Sequence, residues 1–336
     1  MKRQGDIHAR RMLGAVALAV TMLAALAAYL VASRLEEAAY PEVRGEMSPH
    51  FGTLPTAEFR GRTYQLKPNL TTLLLIGYDK ADDSAQTGYR QGGQADFLLL
   101  VVLDHKTRTV HQLHIERDTI TNVAVLGLTG KEVGTRRMQI CLSHGFGATP
   151  ESNCGYTLRA VGNLLQGTEI DLYYAVDMRA IDRLNDALGG VTVPIEDDFS
   201  AFDPAMVQGT TMVLQGPQAE LYVRSRREIG DGTNESRMRR QQCFMSGASQ
   251  QMRRRMAEDA SFADTLLDAL EGVSHTNMTR GRIINELNRA YQYNILPVET
   301  LAGEYILGSD GFMEFHADEE AIAEWIIKVF YNPVAS

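Results

Sequence analysis

The chain has 336 residues, 44% of them hydrophobic, and a formal net charge of −9. That length suits one large or two modest domains, and Gly and Pro are too few for a fibrous or low-complexity chain. The charge is uneven: residues 1–34 carry a net +4, while the remainder carries 28 basic and 41 acidic groups, which excludes a general binder of nucleic acid phosphates.

In chain order, the first element is Met12–Ala32, 21 residues without a charge. A helix needs about 20 apolar residues to cross the hydrocarbon core of a bilayer. Lys2, Arg3, Arg10 and Arg11 precede it, which places residues 1–11 in the cytoplasm and the body outside. The alternative is a cleavable signal peptide with its small residues at Ala24–Ala28, although such apolar regions usually run about 7–15 residues. Residues 33–67, with Pro41, Pro49 and Pro55, read as a tether, and residues 68–333 as one folded domain.

Thr71–Gly77 is an apolar run of strand length closed by glycine, and a polar loop follows from Asp79 to Gln94. Phe97–Leu103 and Thr109–Ile115 read as two further strands joined by a turn at Asp104–Thr107. Pairing Asp104 with Thr107 sets Asp96 opposite Ile115, so Arg117 and Asp118 share a sheet end with Asp96, and Asp79 reaches the same edge. Asn153 is expected to cap a helix running to Leu165. Leu172–Val176, Met178–Leu188 with Gly189-Gly190, and Val191–Ile195 then read as strand, capped helix and strand. Two such crossovers imply an α/β sheet covered on both faces. Ala219–Arg226 reads as another strand, Glu235–Met256 as a long helix and Asp318–Phe330 as an amphipathic one, with Ile322, Trp325, Ile326 and Val329 inward.

Leu221–Gln242 carries the chemistry. On a strand, Arg224 and Arg226 share a face; on the following helix Arg237, Arg240 and Gln241 stand at i, i+3 and i+4. Gly230-Asp231-Gly232 is a turn that lets the two faces converge. Guanidiniums so placed suit a phosphate or diphosphate, through forked, charge-assisted hydrogen bonds; the plainer alternative is a solvated charged surface paired with Glu228 and Glu235. Asp96 precedes a buried strand, where a charge needs a partner. With Asp79 it supplies hard oxygen ligands for a divalent ion at a strand end, where ligands of open α/β sheets gather. Asp79 and Asp118 also suit turns, where Asp is favoured. His111 and His114 take opposite strand faces, His144 lacks a hydrolase motif, and Arg253–Arg255 read as a solvated helix end. Cys141, Cys154 and Cys243 leave two readings open, a Cys141–Cys154 bridge or buried thiols.

Together these segments resemble the LytR-CpsA-Psr family: the amino-terminal apolar segment, Leu73–Asp79 (LLLIGYD), Ala95-Asp96 before an apolar strand, Glu116-Arg117-Asp118, Leu184–Val193 (LNDALGGVTV), Leu221–Arg226 (LYVRSR), then Asp231, Arg237 and Arg240-Gln241-Gln242. The resemblance covers the whole exported domain. It implies an α/β/α sandwich with a central mixed sheet, anchored by one transmembrane helix. It also implies transfer of a glycopolymer phosphate, such as a teichoic acid or capsule precursor, from a polyprenyl-pyrophosphate carrier to a peptidoglycan hydroxyl. Asp79 and Asp96 would hold Mg2+ or Mn2+. Arg117, Arg224, Arg226 and Arg237 would grip the diphosphate, with Arg240, Gln241 and Asp231 completing the head-group site, and Asp118 or Asp231 would take the hydroxyl proton. The chain departs from the family pattern where Ala95-Asp96-Phe97 replaces Ser-Asp-Thr, and where Gln139 holds an often basic position with Arg136 and Arg137 nearby. The competing readings are a polyprenyl-pyrophosphate hydrolase and a non-catalytic envelope regulator that binds a lipid diphosphate.

Overall fold

The computed structural model describes residues 54–79, 92–127, 130, 132–226 and 229–334. Residues 54–336 form one compact unit. The expected membrane segment Met12–Ala32 lies outside the described residues, and no helix among the described residues is long and apolar enough to cross a membrane.

The domain opens earlier than the sequence suggested. β1 (Thr56–Phe59) and β2 (Arg62–Leu66) form a hairpin within the segment read as tether, and β15 (Tyr331–Pro333), at the far end of the chain, completes a three-stranded antiparallel sheet with β2. Turn residues Arg60 and Gly61, both at positive φ, close that hairpin, a conformation glycine adopts without steric cost.

β3 (Leu70–Asp79), β4 (Gln94–Asp104) and β5 (Thr109–Ile115) are antiparallel neighbours at the centre of a six-stranded mixed sheet. Their apolar runs occur where both faces are buried, as a sheet covered on two sides requires. The turn between β4 and β5 has four residues, and Asp104 pairs with Thr109, not Thr107. Asp104 Oδ1 accepts the Lys106 and Thr107 N–H groups, both at 3.0 Å, and Arg108 closes the loop at φ +54°. Leu98 therefore faces Ile115, which brings Asp96 toward Arg117, two residues further along than the shorter turn implied. Because the shift is even, every side chain keeps its face.

β6 (Ile120–Leu126) and β7 (Glu132–Gln139) form a separate hairpin, followed by a 3-10 turn at Ile140–Gly145. Helix α1 (Pro150–Leu164) starts one turn before Asn153: Thr149 is its cap, in a reciprocal capping box with Ser152 and with Pro150 at the first position. Asn153 is buried inside the helix instead. β8 (Leu172–Asp177) returns parallel to β3. α2 (Arg179–Leu188) ends at Gly189, φ +79°, the left-handed cap that glycine allows. β9 (Thr192–Pro194) does not join the main sheet; it pairs with β10 (Thr211–Val213).

Ala219–Arg226, read as a strand, is helical: α3 (Gln218–Arg224). Its buried residues Ala219 and Tyr222 stand at helical spacing, and the Tyr222 hydroxyl donates to Pro194 O at 2.8 Å. α4 (Asn234–Glu258) is the long helix, capped by Thr233. After it come α5 (Phe262–Ala269), β11 (Ser274–Thr276), α6 (Arg280–Gln292), β12 (Asn294–Glu299), the hairpin of β13 (Gly303–Leu307) and β14 (Met313–Ala317), and α7 (Glu319–Phe330) capped by Asp318. The order β11-β8-β3-β4-β5-β12 completes the main sheet.

One face of that sheet packs Leu74, Leu98, Leu100 and Leu113 against Val161 and Leu164 of α1 and Ile322, Trp325, Ile326 and Val329 of α7. On the other face, α2 and α5 cover β8 through Ala180 and Leu266, and Gln242 of α4 reaches His114 of β5. Helices on both faces agree with the α/β/α arrangement. A second core gathers Leu188, Val193, Phe199, Leu214, Tyr222 and Phe244 around β9, β10, α3 and α4. Cys141, Cys154 and Cys243 are all free thiols. The Arg253–Arg255 run is only partly solvated: Arg253 donates to Tyr293 O, Arg255 lies over the Phe262 ring, and Arg254 alone is exposed.

Candidate functional site

The ends of β3, β4 and β5 meet the carboxyl end of α3 and the amino end of α4. Arg117, just past β5, donates to Asp96 Oδ1 and Gln94 Oε1 of β4 and to Cys141 Sγ at 3.4 Å, and its Nε lies 3.4 Å from Asp118 Oδ1. Burial holds the Cys141 thiol protonated, its pKa pushed up to about 11, so it serves Arg117 as a neutral acceptor. At the outer rim, Arg224 donates to Glu220 and stands 3.5 Å from Asp79. The structure thus brings Asp79, Asp96, Arg117, Asp118 and Arg224 to one corner, although Arg224 comes from a helix end and Arg226 from the loop after it, not from one strand face.

Arg237 enters from the first turn of α4 and is 7% exposed. Burial lowers its pKa, and the charges of Arg117 and Arg226 push the same way, against Asp96 and Glu116. Its Nη2 donates to Asn234 Oδ1. The buried Nε–H groups of Arg226 and Arg237, and the buried Oε1 of Gln241, find no hydrogen-bond partner among the described residues. An unmet buried donor costs about 1–3 kcal/mol, more when charged. Three guanidiniums held together with unmet donors form a site poised for a polyvalent anion.

Two assigned residues have other work. Arg240, 2% exposed, donates to Asp197, to Tyr222 O at 3.0 Å and to Ser225 O. It fixes the α3–α4 corner from beneath, and those bonds occupy its donors within the fold. Asp231 accepts from Thr233 N, Thr233 Oγ1 and Ser236 Oγ at 2.9, 2.7 and 2.7 Å. Those bonds hold its carboxyl well below the ordinary range, which makes it a poor proton acceptor. Asp118 differs: it is buried, and burial raises its pKa. Gln139, at the family's basic position, donates to Asp118 Oδ1 at 3.2 Å and to Met313 O at 2.7 Å; Arg136 and Arg137 remain exposed.

Sequence reasoning missed the role of Glu116. It is 6% exposed and takes hydrogen bonds from Asn234 Nδ2 and, at 2.9 Å, from the Tyr305 hydroxyl. A carboxylate directly after a buried strand was the available signal, the same that singled out Asp96. Burial raises its pKa. A raised carboxyl contributes stability that is complete below its unfolded pKa and is lost as pH rises through the folded value. Glu116→Gln is therefore expected to flatten part of the fall in urea-unfolding stability as pH rises above the ordinary carboxylate range. An unchanged slope would place that fall elsewhere. The histidines discounted from sequence are buried and neutral: burial takes His114 and His144 down to about 4.

Beside Gln94 an open cavity of about 470 Å3 is lined by Val125, Met138, Leu142 and Phe146, with Arg136 at its edge. Its volume falls within the range of small-molecule sites. Among the described residues no three or more His, Cys, Asp or Glu side chains gather into a metal cage.

Fold and site together define a mixed α/β domain with a guanidinium-lined anion site at the rim of its central sheet and an apolar cavity alongside. The chain belongs to the LytR_cpsA_psr family, whose model matches residues 54–325. Among curated relatives, it is 29% identical over 170 residues to the polyisoprenyl-teichoic acid–peptidoglycan teichoic acid transferase TagU of Bacillus subtilis (strain 168), covering 50% of this chain and 48% of that one. The TagU of Bacillus mycoides (strain KBAB4) is 24% identical over 261 residues, 76% of each. The chain spans about half the length of the Bacillus subtilis relative and of its Halalkalibacterium halodurans counterpart. Solved structures share the fold: protein gbs0355 from Streptococcus agalactiae superposes with a TM-score of 0.63 at 20% identity, covering 77% of this chain and 86% of that one. TagV of B. subtilis does so with 0.58 at 22% identity, over 79% and 97%.

Proposed function

We propose that the domain transfers a phosphate-linked glycopolymer from a polyprenyl-diphosphate carrier to a hydroxyl of peptidoglycan, outside the membrane that Met12–Ala32 would span. The observation that carries this reading is the convergence of Arg117, Arg226 and Arg237 beside Asp96 with unmet buried donors. A diphosphate supplies both the negative charge and the acceptor oxygens. The names of relatives point the same way: TagU is named a teichoic acid transferase acting from polyisoprenyl to peptidoglycan, and TagT has been solved bound to LI-WTA. The apolar cavity beside Gln94 would take the proximal part of the lipid.

The accepting hydroxyl attacks the polymer-side phosphorus, and polyprenyl phosphate leaves. Arg117, Arg226 and Arg237 stabilise charge on the phosphate oxygens, with Arg224 closing the outer rim, as electrostatic positioning does in other phosphoryl transfers. Asp118, with its raised pKa, suits removal of the hydroxyl proton better than Asp231 does.

Asp79 and Asp96, carboxylates at the same sheet end, would hold a magnesium ion. Two carboxylates are too few for a cage of their own, but Mg2+ commonly takes one or two carboxylates together with substrate phosphates. When bound, the ion would neutralise phosphate charge. Asp96→Asn is expected to raise the Mg2+ concentration for half-maximal transfer at least about tenfold, a typical scale for weakened metal sites. A Mg2+ dependence unchanged by Asp96→Asn would remove that residue from the ion.

The test of the function is full-length chain in vesicles with lipid-linked polymer, Mg2+ and peptidoglycan. Polymer becomes covalently wall-linked if the proposal holds; polymer merely released into solution would make the protein a hydrolase.

A further inference from the structure

The β13–β14 hairpin ends in an exposed, largely apolar tip. Tyr305, Ile306, Leu307, Phe312 and Met313 are all exposed, Leu307 and Phe312 by 67% and 65%. Cross-strand pairing puts Leu307 and Met313 on the face of Tyr305 and Phe315, and Ile306 on the other face. The hairpin is thus amphipathic, apolar on the face of Tyr305, Leu307 and Met313, a pattern that suits an interfacial position. The other face is mixed: Ile306 pairs with Glu314, and Glu304 and His316 follow toward the base. Asp310 carries the single charge within residues 306–313. Its Oδ1 accepts the Phe312 N–H at 3.1 Å, so the turn occupies one oxygen of that carboxylate.

The base of the hairpin is fastened to the site. Phe315 N–H donates to Asp118 O at 2.9 Å, Gln139 Nε2 to Met313 O at 2.7 Å, and the Tyr305 hydroxyl to Glu116 Oε2 at 2.9 Å.

We propose that this tip rests in the interfacial layer of a lipid bilayer and so brings the arginine site to the level of a lipid headgroup. The inference rests on reading that site as one for a lipid diphosphate. Reach supports it: from Tyr305, level with Glu116, to Leu307 is two strand residues, roughly 7 Å. Apolar faces of interfacial elements lie about 5–10 Å into the headgroup and acyl boundary. With the diphosphate at headgroup depth, Leu307, Phe312 and Met313 meet the upper acyl chains. The sequence ahead of the fold agrees: the uncharged run Met12–Ala32 ends only 21 residues before Leu54.

The test uses full-length Phe312→Trp in phosphatidylglycerol–phosphatidylcholine vesicles with brominated acyl chains and no polyprenyl diphosphate. The native chain has a single tryptophan, Trp325, buried in the core. The added indole is expected to lose most of its emission to bromine while wild-type emission stays unchanged; an unquenched added indole overturns the proposal. So does shielding produced only by soluble glycan fragments, which would make the tip a carbohydrate surface, or only at high protein concentration, which would make it a contact between copies. A second variant, Leu307→Glu with Phe312→Glu, should slow turnover of a long-chain donor in vesicles at least about a hundredfold, in line with losing two buried apolar side chains. Turnover of a short-chain, water-soluble donor should be unchanged. Equal losses on both donors, or none on either, overturn the proposal. A wild-type chain inert toward both donors would defeat the functional reading instead, while the quenching still decides the docking.

Discussion

Arg237→Gln is expected to lower the transfer rate about 10²–10³-fold, the scale on which losing one preorganised donor slows acyl transfer, and to leave the protein at least as stable as before. The two halves of that result have one cause. In the unliganded domain Arg237 is a buried cation beside Arg117 and Arg226, and burial lowers its pKa; removing the charge relieves both penalties. With a diphosphate present the same charge is what the substrate needs. Stability and activity should therefore move in opposite directions, as they often do at functional sites. Arg237→Lys should not rescue, because an ammonium cannot reproduce a forked guanidinium contact. Arg224→Gln should cost less, since Arg224 is 43% exposed and its field is screened by water. Single-turnover rates with lipid donor, together with urea unfolding, check both halves. Activity within a few-fold of wild type would end the diphosphate reading.

Arg240→Ala should do the reverse, destabilising the chain by about 3–5 kcal/mol, the cost of stranding one partner of a buried ion pair. That is a large part of the 5–15 kcal/mol that usually holds a domain together. Arg240 neutralises Asp197 and satisfies the carbonyls of Tyr222 and Ser225. Its loss would leave a charge and two acceptors without their donor. Asp197→Asn, which removes the opposing charge and keeps the shape, should cost less. Urea denaturation measures both, and an Arg240→Ala variant as stable as wild type would show that the corner is held by packing alone.

The sheet centre was legible because its strands are continuous apolar runs too hydrophobic to lie anywhere but between two covered faces. The carboxyl-terminal helix was legible from Ile322, Trp325, Ile326 and Val329 at helical spacing, all buried. α3 was not. In Ala219–Arg226 the residues Ala219, Leu221 and Val223 alternate as a strand's would, while Ala219 and Tyr222 also repeat at helical spacing. Eight residues are too few for periodicity to arbitrate. The β4–β5 register failed for a different reason: the turn length depended on Arg108 taking a left-handed conformation, uncommon outside glycine, asparagine and aspartate.

The site was read better than the elements carrying it. Arg117, Arg226 and Arg237 converge although the strand that was to present Arg226 is a helix and a loop, because the α3–α4 corner still meets the sheet end where Arg117 follows β5. The internal bonds of Arg240 and Asp231 were not legible because charge type does not reveal who satisfies it. An arginine turned toward backbone carbonyls and one turned toward an open site look alike along the chain. Glu116 was overlooked because its partners, Asn234 and Tyr305, lie more than a hundred residues away.

The pairing of β15 with β2 has a mechanical corollary. Residues near 333 and residues near 55 share one small sheet, so the domain's two ends leave from a common clasp. Tension applied through the segment before Leu54 loads β1 and, through β2, the last strand, without passing first through the arginine corner. Clipping Tyr331–Pro333 would loosen the β1–β2 hairpin, even though no residue of the site had been touched.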